Sequence, residues 1–113
     1  MKSQDLKNLI TEESESLLIL DVREREEFES EPLLPNFPAF YQHLPLTLLS
    51  VLPNEELIEK FHGFGWAPSM ESEVVTIVTV CRSGVRSAKA RDILALHGIA
   101  VESLEGGVSG FGG

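Results

Sequence analysis

The sequence predicts an α/β fold with a mainly parallel sheet flanked by helices. Residues 17–22 form a continuous apolar run broken only by Asp21, and residues 74–80 contain only Val, Ile and Thr. Runs of this kind suit strands buried on both faces of a parallel sheet. Around them lie segments whose apolar residues recur at helical spacing, so strands and helices alternate. With 113 residues, no internal repeat and no linker-like stretch, residues 1–113 are expected to form one domain.

The elements follow in order. Ser3 is placed to cap a first helix in which Leu6, Leu9 and Ile10 share a face. The run at 17–22 is the first strand. Residues 23–28 are a charged helical turn anchored by Phe28. Residues 31–46 hold several prolines, which argues for a loop or an edge segment with a short strand around Phe40 to Leu46. Pro53-Asn54 opens a helix through Phe61 that Gly63 ends. Phe64-Gly65-Trp66 reads either as a docking patch or as aromatic residues of the core. The strand at 74–80 leads into Cys81 and then a helix reaching His97, with Ala90, Ile93, Leu94 and His97 on one face and Gly98 as its stop. Residues 99–104 are the last strand, followed by a glycine-rich tail.

The formal net charge of -9 argues against a nucleic-acid binder and against docking on anionic membranes. The acids crowd the first half, while residues 81–91 carry Arg82, Arg86, Lys89 and Arg91 and no acid. One basic island on an acidic chain suits a small anion; a solvated basic helix face is the competing reading. No apolar run is long enough to span a membrane, and residues 1–14 have no leader-type apolar segment, so a cytoplasmic location is expected. The single cysteine can form no internal disulfide, and the three histidines have no metal-ligand spacing, so no metal or organic cofactor is expected.

The chemistry concentrates in Cys81-Arg82-Ser83-Gly84-Val85-Arg86-Ser87, set between a strong strand and a helix. Ligands of open α/β sheets sit at the carboxyl ends of strands, which puts Cys81 on the floor of a crevice. Gly84 permits a tight turn. The amides of residues 82 to 87 can then face one point near the helix N-terminus and form an anion-attracting nest, to which Arg82 and Arg86 add charge. Such surroundings lower a thiol pKa and make Cys81 a candidate nucleophile. An inert, half-buried cysteine at an ordinary strand-to-helix turn is the alternative.

This loop, with the strand before it, closely resembles the active loop of rhodanese domains. Leu20-Asp21-Val22-Arg23-Glu24 followed by Phe28 is similar to that family's Asp-Val-Arg box with its downstream Glu-Phe, and Leu104-Glu105-Gly106-Gly107-Val108 to its final strand and glycine pair. The resemblance implies a rhodanese-like parallel sheet of about five strands flanked by helices. It also implies a ping-pong sulfurtransferase: a sulfane sulfur passes from a small anionic donor, thiosulfate or a persulfide, to Cys81, and a thiol or cyanide takes it away. The acceptor thiol can belong to a protein. In this scheme Cys81 carries the sulfur, residues Arg82, Ser83, Gly84, Val85, Arg86 and Ser87 bind the anion, and Arg86 neutralises the donor. Asp21 and Arg23 would support the loop from the neighbouring strand end, or serve as a structural ion pair only. Residues 35–46 keep only Leu44-Pro45-Leu46 of the family's segment between its boxes, and Phe111 stands where a Trp is common. The related phosphatases place five residues between Cys and Arg; here four intervene, and Ser87 holds the phosphatase position. A non-catalytic binding or sulfur-relay module is the second reading.

Overall fold

The computed structural model describes residues 1–12, 16–31, 40–68 and 72–110. Helix α1 (Ser3–Thr11) precedes strand β1 (Leu17–Asp21), followed by α2 (Arg25–Ser30) and β2 (Tyr41–His43). Next come a single turn, α3 (Leu46–Leu49), and α4 (Asn54–Gly63). Strand β3 (Thr76–Val80), helix α5 (Val85–Leu96), the two-residue strand β4 (Glu102–Ser103) and a 3-10 turn at Val108–Gly110 complete the order.

The strands form one parallel sheet in the order β2-β1-β3-β4. The α/β expectation therefore holds, with four strands among the described residues where the resemblance implied about five. The expected strand at 99–104 shrinks to Glu102–Ser103. Gly98 turns the chain at φ +77 and Ile99 dives into the core, so pairing begins only afterwards. Ser3 does not cap α1: Lys2 holds that position, Ser3 is the first helical residue, and no side chain caps the helix. The charged turn expected at 23–28 begins two residues later, because Asp21 and Arg23 are committed to each other.

Both central strands are buried on two faces, as their continuous apolar sequence requires. On one face Leu18, Leu20, Ile77 and Cys81 pack with Leu49, Leu57, Phe61, Ala90 and Leu94 from α3, α4 and α5. On the other, Leu17, Ile19, Val78 and Val80 pack with Leu6 of α1 and Leu104. Phe64 and Trp66 are partly buried against the first cluster, and their rings meet Phe61 edge-on. The aromatic loop is thus part of the core. Phe28 stacks on His43 and meets Tyr41 edge-on, which ties α2 to β2.

The topology selects one place for a site. From β1 the chain moves outward to β2, then returns to the opposite side of β1 as β3. The order reverses between β1 and β3, which is where open α/β sheets form a crevice at the carboxyl ends of their strands. Asp21 and Val80 are paired at that end.

Candidate active site

Cys81 is the first residue beyond β3 and so stands at the reversal point. It is 0% exposed. The chain turns above it at Gly84, whose φ of +96 is left-handed. A Cβ there would also crowd the Gly106 nitrogen at 3.2 Å. Glycine is therefore required twice, for conformation and for space.

The turn directs donors at the sulfur. The Gly84 N–H donates to Sγ at 3.0 Å and the Ser87 N–H at 3.3 Å. Ser87 Oγ lies 3.5 Å from Sγ and accepts from the thiol. After ionisation its own proton can turn to the sulfur. The Ser87 oxygen is held by Ser103 Oγ at 2.8 Å, and the Ser87 carbonyl by Thr79 Oγ1 at 2.9 Å. Burial pushes the Cys81 thiol up, but Ser87 through its hydroxyl and amide, and then the amides of Gly84 and Ser83, outweigh it; the net shift is downward. The rate of alkylation by iodoacetamide against pH should therefore have its midpoint below the free-thiol value of about 8.5. A midpoint at or above that value would contradict the donor geometry.

A second segment straps the loop from behind. The Val108 N–H donates to the Cys81 carbonyl at 2.8 Å, and the Ser109 N–H to the Arg82 carbonyl at 3.0 Å. Gly107 makes this approach at φ +64, and a Cβ on it would lie 2.4 Å from the Arg82 oxygen and 2.5 Å from the Cys81 oxygen. Backbone on both sides leaves no flexible group to yield. Gly107→Ala should cost about 2 kcal/mol in denaturant unfolding and shift the Cys81 titration upward. An unchanged titration would mean that the strap does not shape the nest.

The two loop arginines are engaged elsewhere. Arg86 makes a fork on Glu27, Nη1 to Oε1 at 2.7 Å and Nη2 to Oε2 at 2.8 Å, with both side chains about one-third exposed. The hydrogen bonds from Arg86 hold the Glu27 carboxyl down at about 2. Arg82 turns outward to Glu31 at 3.0 Å and is 62% exposed. Exposed pairs of that kind contribute roughly 0–1 kcal/mol. The expected basic island is therefore largely paired with acids, and the anion-holding groups beside Sγ are amides. Val85 points to solvent.

Asp21 and Arg23 lie beside the loop, 0% and 1% exposed. Arg23 Nη2 donates to Asp21 Oδ2 at 2.7 Å, and Nε contacts both Asp21 oxygens at 3.0 and 3.1 Å. The Tyr41 hydroxyl donates to Asp21 Oδ2 at 2.6 Å, and Arg23 Nη2 also reaches the Glu31 carbonyl at 2.7 Å. Burial alone would lower the Arg23 pKa; the bond to Asp21 reverses that and the net shift is upward. Neither side chain hydrogen-bonds residues 82–87. They reach the loop only indirectly, because Arg23 fixes the Glu31 carbonyl while Glu31's carboxylate holds Arg82. Glu27, Ser103 and Thr79 complete the site, and residue-by-residue reading of the loop did not select them.

A family model described as rhodanese-like domain matches residues 2–113. No curated protein sequence matches the chain. Among solved structures, a rhodanese-like domain protein from Staphylococcus aureus is 25% identical, with TM-score 0.68, covering 98% of this chain and 88% of its own. A rhodanese homologue from the extremely thermophilic bacterium Thermus thermophilus is 27% identical, with TM-score 0.54 and coverage of 95% and 93%. A single-domain sulfurtransferase from Saccharomyces cerevisiae shares the fold at 20% identity, TM-score 0.65 and coverage of 98% and 85%.

Proposed function

The chain belongs to the rhodanese-like domain family, and on that footing we propose that it is a sulfurtransferase carrying sulfane sulfur as a persulfide on Cys81. One observation carries the reading. The only cysteine has its sulfur within 3.0 and 3.3 Å of two backbone N–H groups at the start of a helix. Such a nest stabilises a thiolate before reaction and a persulfide anion after it.

In the first half-reaction the Cys81 thiolate attacks the sulfane sulfur of thiosulfate. The new S–S bond leaves a terminal sulfur with one negative charge, and the old S–S bond breaks to release sulfite with its electron pair. With an alkyl persulfide the leaving group is the alkyl thiolate. In the second half, an acceptor thiolate or cyanide attacks the terminal sulfur and Cys81 departs as thiolate. Ser83, Gly84 and Ser87 present amides to the sulfur. Arg82, Val85 and Arg86 form the rim, and Asp21 with Arg23 position the neighbouring chain. The reaction needs no metal or organic cofactor. A reducing, cytoplasmic setting would keep Cys81 available, and the donor and acceptor partners are small anions and thiols, protein thiols included. Nucleic acid and membrane have no part in this scheme. No helix among the described residues is long and apolar enough to cross a membrane.

The test is intact-protein mass spectrometry before and after thiosulfate or an alkyl persulfide, with cyanide added last. The expected result is a gain of one sulfur atom that cyanide removes as thiocyanate. Failure with both donors would reject the enzyme reading. It would favour a module that relays sulfur inside a protein complex, a reading supported by the complete burial of Cys81.

A further inference from the structure

Arg86 lies in the Cys81 loop and interacts electrostatically with the Cys81 sulfur. A free guanidinium at the rim would attract donors in proportion to their negative charge. Here both its arms are occupied. Glu27 accepts Nη1 at 2.7 Å and Nη2 at 2.8 Å, the parallel fork that matches guanidinium to carboxylate geometrically. The pair carries no net charge and is only about one-third exposed on either side. It also bridges α2 and the start of α5. A donor approaching Sγ therefore meets a neutralised arginine and a carboxylate. A dianion can recover the arginine only by displacing Glu27 from both bonds.

We propose that Glu27 is a charge filter: by capping Arg86 it sets the Cys81 nest to favour monoanionic sulfur donors over dianionic ones. This deepens the sulfurtransferase reading and rests on it for the identity of the ligands. Glu27 acts on charge and stays ionised, since its carboxyl is held at about 2. The preference should accordingly be flat between pH 5 and pH 9, roughly the range in which carboxylates with so low a pKa do not titrate.

The experiment compares wild type with Glu27→Gln, which keeps the size of the side chain and removes its charge. The first readout is the ratio of kcat/KM for thiosulfate to that for methanethiosulfonate, a similarly shaped donor with one negative charge fewer. The second is the ratio of Cys81 alkylation rates by iodoacetate and iodoacetamide, which also differ by one charge and require no sulfur transfer. Removing the charge that caps Arg86 at a partly solvated site should raise both ratios about three- to tenfold, with the monoanionic or neutral reagent changing least. Two ratios unchanged within error, or rates that rise and fall together for all reagents, would overturn the filter. If the alkylation ratio moves while neither donor loads sulfur, the filter stands as a property of the nest and the sulfurtransferase reading falls. Glu27→Asp, which keeps the charge, should hold the wild-type ratios, whereas a purely steric role would leave the isosteric Glu27→Gln at wild-type ratios and make the shorter Glu27→Asp the disruptive change.

Discussion

Cys81→Ser is expected to abolish sulfur loading, a loss of about a thousandfold or more in the first half-reaction, while the protein stays folded. The substitution exchanges sulfur for oxygen at a fully buried position whose donors remain in place. The Gly84 and Ser87 amides can hydrogen-bond a hydroxyl, and Ser87 Oγ can still be its partner. Packing changes little, so the denaturant midpoint should move by less than about 1 kcal/mol equivalent. The chemistry, however, disappears. A serine hydroxyl stays protonated in this nest, and oxygen forms no stable analogue of the persulfide. Mass spectrometry after thiosulfate should show only the unmodified mass, and thiocyanate release should cease. Cyanide-removable sulfur on the variant would place the carrier elsewhere and sink the mechanism.

The largest effect on stability is expected at the buried pair below the loop. Asp21→Ala removes the acceptor of four Arg23 bonds, one of them from its backbone N–H, and of the Tyr41 hydroxyl. Arg23 is 1% exposed and cannot turn to water without opening the end of β1. Breaking one partner of such a pair costs about 3–5 kcal/mol, because the other charge is left uncompensated. Small domains have only about 5–15 kcal/mol in total, so the variant should unfold at much lower denaturant. A double replacement by apolar residues of similar volume, Asp21→Leu with Arg23→Met, should recover much of the loss. If Asp21→Ala costs under about 1 kcal/mol, the pair is better solvated than its burial indicates.

Local signals made most of the site legible. The β-branched run at 74–80, a cysteine at its end, Gly84 and a helix start are contiguous, and each acts on its own neighbourhood. That sufficed to put Cys81 in a nest and Gly84 in a left-handed turn. Pairings across the chain were not legible. Glu27 sits within an acidic stretch of α2, and nothing local marks it as the partner of Arg86, 59 residues away. The charge island accordingly read as free cations, although folding covers it with acids from α2 and its end. Ser103 was hidden for another reason: β4 is two residues long and half exposed, so no hydrophobic pattern advertises it. The single turn α3 escaped because a four-residue helix is too short to show a period among residues 44–52, which are apolar but for Thr47 and Ser50; Pro45 at its cap position was the available signal. The expectation of a fifth strand came from resemblance alone.

The strap formed by Gly107, Val108 and Ser109 bears on the order of events as the chain is made. Residues 81–84 leave the ribosome before the residues that brace them, and β3 cannot add to the sheet until β1 is available to it. Until the strap docks, Cys81 is an ordinary exposed thiol in an incomplete turn, mostly protonated near neutral pH and slow to oxidise. The donors that lower the thiol's pKa converge on it only when the loop is closed. The lowered pKa of Cys81 thus depends on the docked strap and serves as a reporter of complete folding.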